Sequence, residues 1–450
     1  MPRSLAVLLL LAAVFPTVAA QPISFGSAGD PMEQPRTLVG APTLVAAAHA
    51  GPAHLNEAWR AAGAVTLEGQ TGAWSFALGG GLHLSTSGLY DPETDETYDI
   101  ARLLRYVRHD PNPSLPVYAR IGPTTNVSLG RGHLVRSFRT TTSIDERTVG
   151  AEFAFRNTYA TFGAFTGDVR MNGVIGMFAE VAPVRGSASP LMSSLRLGAG
   201  IVHSLADTLG GSPSPTALQF EVSADLLQYG EFSITPFASY AEFLHYGRSV
   251  GGGVDMGSEN LIGAALVNLR LGLFFSGDGF VPGYFNPFYA VSNGADRIVS
   301  ADSFFDADTL SSDLAGTPLG DITGGVDLLA EIELLAFRSF EISYHFRRRY
   351  GDQRLSDFSF RLASRPRFLD GLRIEFGIER QGLGSFFTLF TGLKDQNALI
   401  FNVDYPLAGS AHLSIRSRYG YRRLPDADDG TGRYLVQRRF EPLVGVRYRF

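Results

Sequence analysis

The sequence predicts an all-β fold: a transmembrane antiparallel β-barrel of about 16 strands, within about 14 to 18, with one short loop helix and an N-terminal signal peptide. The first ground is the last stretch, where Tyr434, Val436, Phe440, Val444, Val446, Tyr448 and Phe450 fall on one face and Gln437, Arg439, Glu441, Arg447 and Arg449 on the other. Side chains alternate across a strand, so this one faces two different solvents along its length. The second ground is that the pattern repeats through most of the 450 residues. The third is that no second long apolar run follows Leu5–Val14, so helices cannot carry the chain through a bilayer while alternating strands can.

From the front, the basic start Met1–Arg3, the apolar run Leu5–Val14 and the small residues Val18, Ala19 and Ala20 predict a signal peptide over residues 1–20, with the mature chain beginning at Gln21. Residues 21–61 are rich in Ala, Gly and Pro and only weakly periodic; they are expected to form an N-terminal segment, a periplasmic hatch or plug, with the apolar Pro42–Ala62 region as the candidate hatch. Residues 62–450 are then one barrel. Trp74, Phe76, Leu78, Leu82 and Leu84 start its first clear strand. From Asp99, a plausible N-cap, Ile100, Leu103, Leu104 and Val107 recur at helical spacing with Arg102, Arg105 and Arg108 on another face, which predicts an amphipathic loop helix that packs on the barrel mouth or forms a plug or basic gate.

The stretch VYARIGPTTNVSLGRGHLV, Val117 to Val135, reads as a bulged hairpin that uses Gly130 and Gly132 for backbone room. Val149 to Phe155 and Ala160 to Ala164 form a hairpin across a turn containing Asn157. Further strands follow at Ile175–Val181, Leu195–Ile201, Leu218–Leu226, Val267–Phe275, Val326–Leu334, Phe340–Phe346, Leu372–Ile378, Leu399–Tyr405 and Leu413–Tyr419, each with polar residues on its second face. The insertion Gly277–Ile322, with Tyr284, Phe285, Phe288 and Tyr289, is too long for a turn and would narrow the bore if folded inward. Counted back from the C-terminus it falls on the short-turn side of the barrel, against the usual asymmetry, so a misassigned hairpin is expected between Leu372 and Tyr405.

Composition excludes several chemistries. There is no cysteine, so neither disulfides nor thiolate metal sites can form. The formal net charge of -6 is spread along the chain, with no basic tract to bind nucleic acid. No HExxH occurs, and the acidic run Asp91, Glu93, Asp95, Glu96, Asp99 lacks the glycine and final glutamate of a calcium loop. No metal or cofactor is therefore expected. His83 with Ser85 and His412 with Ser414 share strand faces, yet residues two apart are too widely spaced for a tight nucleophile–base contact, and the chain is not expected to be an enzyme.

The export signal, the alternating strands and the terminal phenylalanine together resemble bacterial outer-membrane β-barrel proteins, over nearly the whole mature chain but as an architecture. Val117–Val135 is similar to the arginine- and glycine-bearing strands of large porin-like barrels. The resemblance implies an outer-membrane location and a lipid bilayer around the chain. It also implies a barrel-assembly machinery that reads Val444, Val446, Tyr448 and Phe450. Its implied function is a channel or transporter for small solutes; the alternatives are a FadL-like barrel for apolar ligands with an N-terminal hatch, or an outer-membrane hydrolase or structural or adhesive barrel. Transport needs a lumen whose groups replace water around a solute. Candidates by strand face are Glu331, Glu333, Glu341, Arg373, Glu375, Glu379, Arg416, Arg418, Arg447 and Arg449. The acids cluster between Asp327 and Glu379 and the arginines near the C-terminus, which predicts either a transverse field or ion pairs that brace the wall.

Overall fold

The computed structural model describes residues 23–25, 43–55, 58–86, 88–90, 98–110, 116–143, 148–205, 214–261, 265–289, 295–299, 319–337, 339–351, 356–364, 372–383, 397–423 and 432–450. Twenty strands among them form one closed circuit. They are β1 (Thr43–Leu55), β2 (Ala58–Thr71), β3 (Trp74–Ser85), β4 (Leu104–His109), β5 (Val117–Gly122), β6 (Gly150–Arg156) and β7 (Ala160–Thr166). Next come β8 (Val174–Val181), β9 (Arg196–Ser204), β10 (Thr216–Ser223), β11 (Phe232–Phe243), β12 (Arg248–Leu261) and β13 (Ala265–Ser276). The last are β14 (Gly325–Ala336), β15 (Phe340–Tyr350), β16 (Ser356–Ser364), β17 (Arg373–Leu383), β18 (Asn397–Ala408), β19 (Ala411–Arg423) and β20 (Gly432–Arg449). Each pairs antiparallel with the next, and β20 returns to β1 in the register Val45↔Arg449 to Ala50↔Val444. Pairing at this joint resumes only at His54↔Phe440. The gap contains Pro52 and Pro442, which have no N–H to give, and a Cβ on Gly51 would lie 2.4 Å from the Pro442 carbonyl oxygen.

The wall is turned inside out relative to a soluble protein. On β10, Gln219, Glu221 and Ser223 are 2%, 5% and 3% exposed, whereas Phe220 and Val222 between them are 52% and 40% exposed. On β13, Gly272, Phe274 and Ser276 turn inward and are buried while Leu271, Leu273 and Phe275 stand exposed outside. Val444, Val446, Tyr448 and Phe450 share the same outer belt. Period-two alternation thus places the apolar set outside and the polar set inside, which suits a bilayer around a polar interior.

The count of about 16 strands is corrected to twenty. Low-contrast segments hid several: β1 and β2 are rich in alanine, and β12 carries three consecutive glycines, Gly251 to Gly253. The wall therefore begins at Thr43, and most of Pro42–Ala62, expected as a hatch, is wall instead. The expected helix shrinks to Asp99–Arg102; from Leu104 the chain is β4, paired through Val107↔Phe76 and Val107↔Ile121, because backbone ladders on both sides outweigh a chance helical spacing. Between the insertion and the C-terminus the missing strand is β16, which lies between Phe346 and Arg373; Leu372 to Tyr405 holds the two paired strands expected there. With β16 in place, the long connections after β3, β5 and β13 lie at the end opposite β1's start and β20's finish. Residues 1–20 and the acidic run 91–97 lie outside the described residues.

The β6–β7 hairpin forms as expected, with Phe155↔Phe162 and Phe153↔Ala164 in register and the Asn157 Oδ1 accepting the N–H groups of Tyr159 and Ala160 at 2.8 Å each.

Candidate functional site: two loops folded into the bore

After β5 the chain does not turn back as a hairpin. It enters the bore as a folded loop, described over residues 123–143, whose Val127 and Phe138 exchange both backbone hydrogen bonds at 2.9 and 2.8 Å. Val127–Leu129 also pairs antiparallel with Ile23–Phe25. Gly130 and Gly132 take φ of +58° and +76°, the left-handed region that glycine occupies without strain. A Cβ on Gly130 would sit 2.3 Å from Gln219 Nε2 and 2.7 Å from Glu221 Oε1, so this backbone is pressed directly onto the inner face of β10.

Three arginines of the loop hold it to the wall. Arg131, 2% exposed, donates Nε to Asp255 at 2.9 Å, Nη1 to Glu221 at 3.2 Å and Nη2 to Ser223 at 2.8 Å, while its backbone N–H reaches Glu221 at 2.9 Å. Arg139 forms an ion pair with Glu379, which Arg361 also contacts at 3.0 Å. Arg136 donates Nη2 to the Arg131 carbonyl at 3.0 Å and lies 3.4 Å from Glu331. Burial lowers the pKa of Arg139 to about 10 despite the nearby Glu379, and lowers that of Arg136 too. Both stay cationic at neutral pH, where their pairing with carboxylates offsets part of the desolvation.

The second inserted loop begins after β13. Gly283 and Phe285 donate backbone N–H to His133 and Leu134 carbonyls at 2.8 and 3.1 Å, and Arg136 donates its own to Phe285 at 3.0 Å. Phe280, Phe285 and Tyr289 from this loop join Leu134, Val135 and Phe138 from the first and Phe165, Phe178 and Phe243 from the wall in one buried apolar cluster. The expectation that the 277–322 insertion would narrow the bore is met by residues 277–289, with Leu319 and Ile322 in the same buried cluster. His133 is buried between Phe274 and Phe280, its Nδ1 hydrogen-bonded to Ser239 Oγ at 2.9 Å. Burial, assisted by the neighbouring Arg136 charge, lowers its pKa to about 3.

The expected lumen candidates all sit on inner strand faces, but not as a free acidic wall opposite a basic one. Glu331 lies at the centre of a network: Arg270 contacts it at 2.9 Å, Arg136 at 3.4 Å and His345 at 3.2 Å. His345 bridges on to Asp357 at 2.6 Å, and Arg347 pairs with Asp357 at 2.5 Å. Glu333 and Glu341 lie toward the ends of β14 and β15, exposed and half-buried. Arg373, Glu375 and Glu379 are buried along β17, with Asn402 donating to Glu375 at 2.6 Å. Arg416 and Arg418 are half-buried on β19, Arg447 lies 3.6 Å from Asp404, and Arg449 is exposed at the barrel end.

Much of the acidic side is thus matched by Arg131, Arg136, Arg139 and Arg270, which the strand-face reading did not single out. The transverse field yields to bracing ion pairs there. The available signal was the run of arginines in a glycine-containing segment that breaks the two-residue rhythm. His83 lies against Glu441 at 2.5 Å and His412 against His49 at 2.7 Å, while Ser85 donates to the Gly88 carbonyl at 3.2 Å.

Between the two loops and β15–β17 lies a small cavity of about 20 Å³, lined by Arg136, Pro282, Pro287, Phe288, Asp357 and Phe358 among others.

No protein-family model matches the chain, and no curated protein matches it. Among solved structures, the chain is similar to OpdL of Pseudomonas aeruginosa at 10% identity and TM-score 0.33, covering 91% of this chain and 98% of that one. OccAB2 of Acinetobacter baumannii matches at 10% identity and TM-score 0.31, with coverage of 91% and 98%. Wzi of Escherichia coli, described as a carbohydrate-binding β-barrel involved in capsule assembly, matches at 11% identity and TM-score 0.33, covering 91% and 84%. Likeness this distant fixes neither family nor solute.

Proposed function

We propose that this chain is a channel of a bacterial outer membrane that passes small polar solutes through a bore narrowed by its two inserted loops. The observation that carries the reading is the inverted polarity of the wall, with Phe220, Val222, Leu271 and Phe275 exposed outside and Glu221, Asp255, Asp327 and Glu379 buried inside. Hydrocarbon is the medium that accepts the first set, and closing the ladder removes the open sheet edges that it would not tolerate. In this reading residues 1–20 export the chain and are removed at Gln21, and the barrel-assembly machinery reads Val444, Val446, Tyr448 and Phe450 on β20. The inner-face residues Glu333, Glu341, Arg373, Arg416, Arg418 and Arg447 line the solute's route, and Arg449 stands at its exit.

An apolar-ligand transporter with an N-terminal hatch is less well supported, because Thr43–Leu55 is a wall strand. Planar-bilayer recording of refolded protein tests the proposal. Discrete current steps, smaller than an unobstructed bore of twenty strands would give, are expected. Folded, membrane-inserted protein that carries no ion current and admits no sugar or amino acid into liposomes would refute it.

A further inference from the structure

We propose that the outer face of the wall carries a site for a lipid with a phosphomonoester headgroup, formed by Arg348 stacked on Tyr350, in the bilayer leaflet at the end of the barrel where the long connections lie. The site rests on the bilayer reading of the wall and goes beyond the channel, since it does not need the bore to conduct.

The outer face of β15 is apolar from its start: Phe340, Ile342, Tyr344 and Phe346 alternate with Glu341, Ser343, His345 and Arg347 on the inner face. Arg348 breaks the outer series. It is exposed and lies directly opposite Leu328 of β14, itself 41% exposed on the outer wall. Directly opposed residues share a face, so this guanidinium is turned toward lipid. An outward arginine is costly at mid-bilayer and nearly free at the interface, and Arg348 stands two residues from the strand's last residue, Tyr350. Val326, opposite Tyr350, is in turn opposite Phe275, so this is the end from which the connection after β13 departs. The Arg348 guanidinium carbon lies 4.9 Å from the centre of the Tyr350 ring, which is within reach of a cation–π contact. Stacking occupies a face of the guanidinium and leaves its N–H edge to meet two oxygens of one phosphate.

Other arginines at this end are matched by acids of their own. Arg248 of β12 opposes Glu242 of β11 in register, and Arg170 pairs with Asp168 at 3.1 Å. Among the described residues no carboxylate pairs with Arg348. The stacked arrangement recurs toward the start of β20, where the exposed Arg438 lies 5.9 Å from the Tyr419 ring, just beyond the outer series Phe440, Val444, Val446 and Tyr448. At their opposite ends the outer faces of these two strands hold Phe340 and Ile342, and Val446 and Tyr448, with no charged side chain. Cationic positions therefore mark one leaflet. A phosphomonoester offers that leaflet's arginines up to two negative charges and three oxygens, whereas a phosphocholine headgroup neutralises its single charge with its own cation.

Because the chain has no cysteine, Leu328→Cys gives a single attachment point, beside Arg348, for a bimane fluorophore on full-length protein. In vesicles of dioleoylphosphatidylcholine, its quenching is compared between added phosphatidic acid and added phosphatidylcholine, each bearing a nitroxide on one acyl chain. Phosphatidic acid should be enriched at the label about fivefold, the factor that about 1 kcal/mol per arginine at a membrane surface gives. Arg348→Gln, verified as folded by its heat-modifiable migration, should bring the ratio near one. Arg348→Lys, which keeps the charge without the fork, should retain part of the excess, and Arg248→Gln should leave it unchanged. The excess should survive inorganic phosphate in place of chloride at equal ionic strength; its loss there would make this a free-phosphate site and overturn the lipid assignment. Equal quenching by the two lipids, or an excess that Arg348→Gln leaves intact, would overturn the site without touching the channel, which planar-bilayer currents report separately. Quenching by neither lipid would remove the bilayer reading of the wall and the site with it.

Discussion

Replacing Arg131 with Met removes the contact that fastens the first loop to the wall. Three side-chain hydrogen bonds vanish, to Asp255, Glu221 and Ser223. Breaking one partner of a buried ion pair ordinarily costs about 3–5 kcal/mol, because the other charge stays buried. The surroundings soften this. Asp255 retains Arg270 at 2.6 Å, and Glu221 retains Gln219 Nε2 at 2.7 Å together with the backbone N–H of residue 131. The lower end, about 3 kcal/mol, therefore applies, and at about 1.4 kcal/mol per factor of ten it raises the ratio of displaced to inserted loop by roughly a hundredfold. Single-channel recording should show bursts of enlarged conductance that the unmodified protein rarely visits, and limited trypsin digestion should cut at Arg136 or Arg139. A second substitution, Glu221→Gln, should recover part of the effect, because the stranded charge is then gone. Unchanged conductance and unchanged proteolysis in Arg131→Met would show that the arginine does not hold the loop in place.

His133 gives the inserted loops a pH dependence. Its folded pKa is depressed from 6.5 to about 3, so the stability it contributes is present above about 6.5 and is lost as pH falls toward 3, where protonation favours its release to water; acid should increase the open bursts, and His133→Phe should flatten that response. Gly132→Ala should shift the same equilibrium toward the displaced loop by about 1–3 kcal/mol, through the positive φ and the crowding of Arg136, read as a lower temperature for the onset of bursts. Leu271→Arg places a charge on the outer belt and should cost about 2–4 kcal/mol if it sits near mid-bilayer, measured by denaturant titration in vesicles; a cost near zero would argue against lipid on that face.

The barrel was legible wherever side-chain contrast was strong. On β10, Leu218, Phe220 and Val222 against Gln219, Glu221 and Ser223 admit only one division into faces. Where both faces carry small residues, as along Ala46–Ala48 of β1 or the glycines of β12, period two exists in the backbone but leaves no hydropathy trace. β16 is the opposite case: Phe358, Phe360 and Leu362 alternate plainly with Asp357, Ser359 and Arg361, so the strand is fully legible in its residues. The β4 segment shows that apolar residues three and four apart do not make a helix once both edges find ladder partners.

Half of the candidate site was legible and half was not. Glu331, Glu375 and Glu379 could be assigned to an inner face from their own strands. Their cations could not, because Arg131 meets Asp255 across 124 positions of sequence and Arg139 meets Glu379 from a loop with no periodic pattern. A single sequence records which residues are charged but not which distant ones meet inside the bore.

The joint between the first and last strands is where the chain's two extremities fasten, and proline on both sides leaves it short of bonds midway along. Among the strand pairings of the barrel this one spans the greatest sequence separation and so carries the largest loop-closure cost, and the cylinder should be sealed after its other neighbours have zipped. Under denaturant or tension the same line should part first, with the ring opening as a curved sheet before any other ladder gives way.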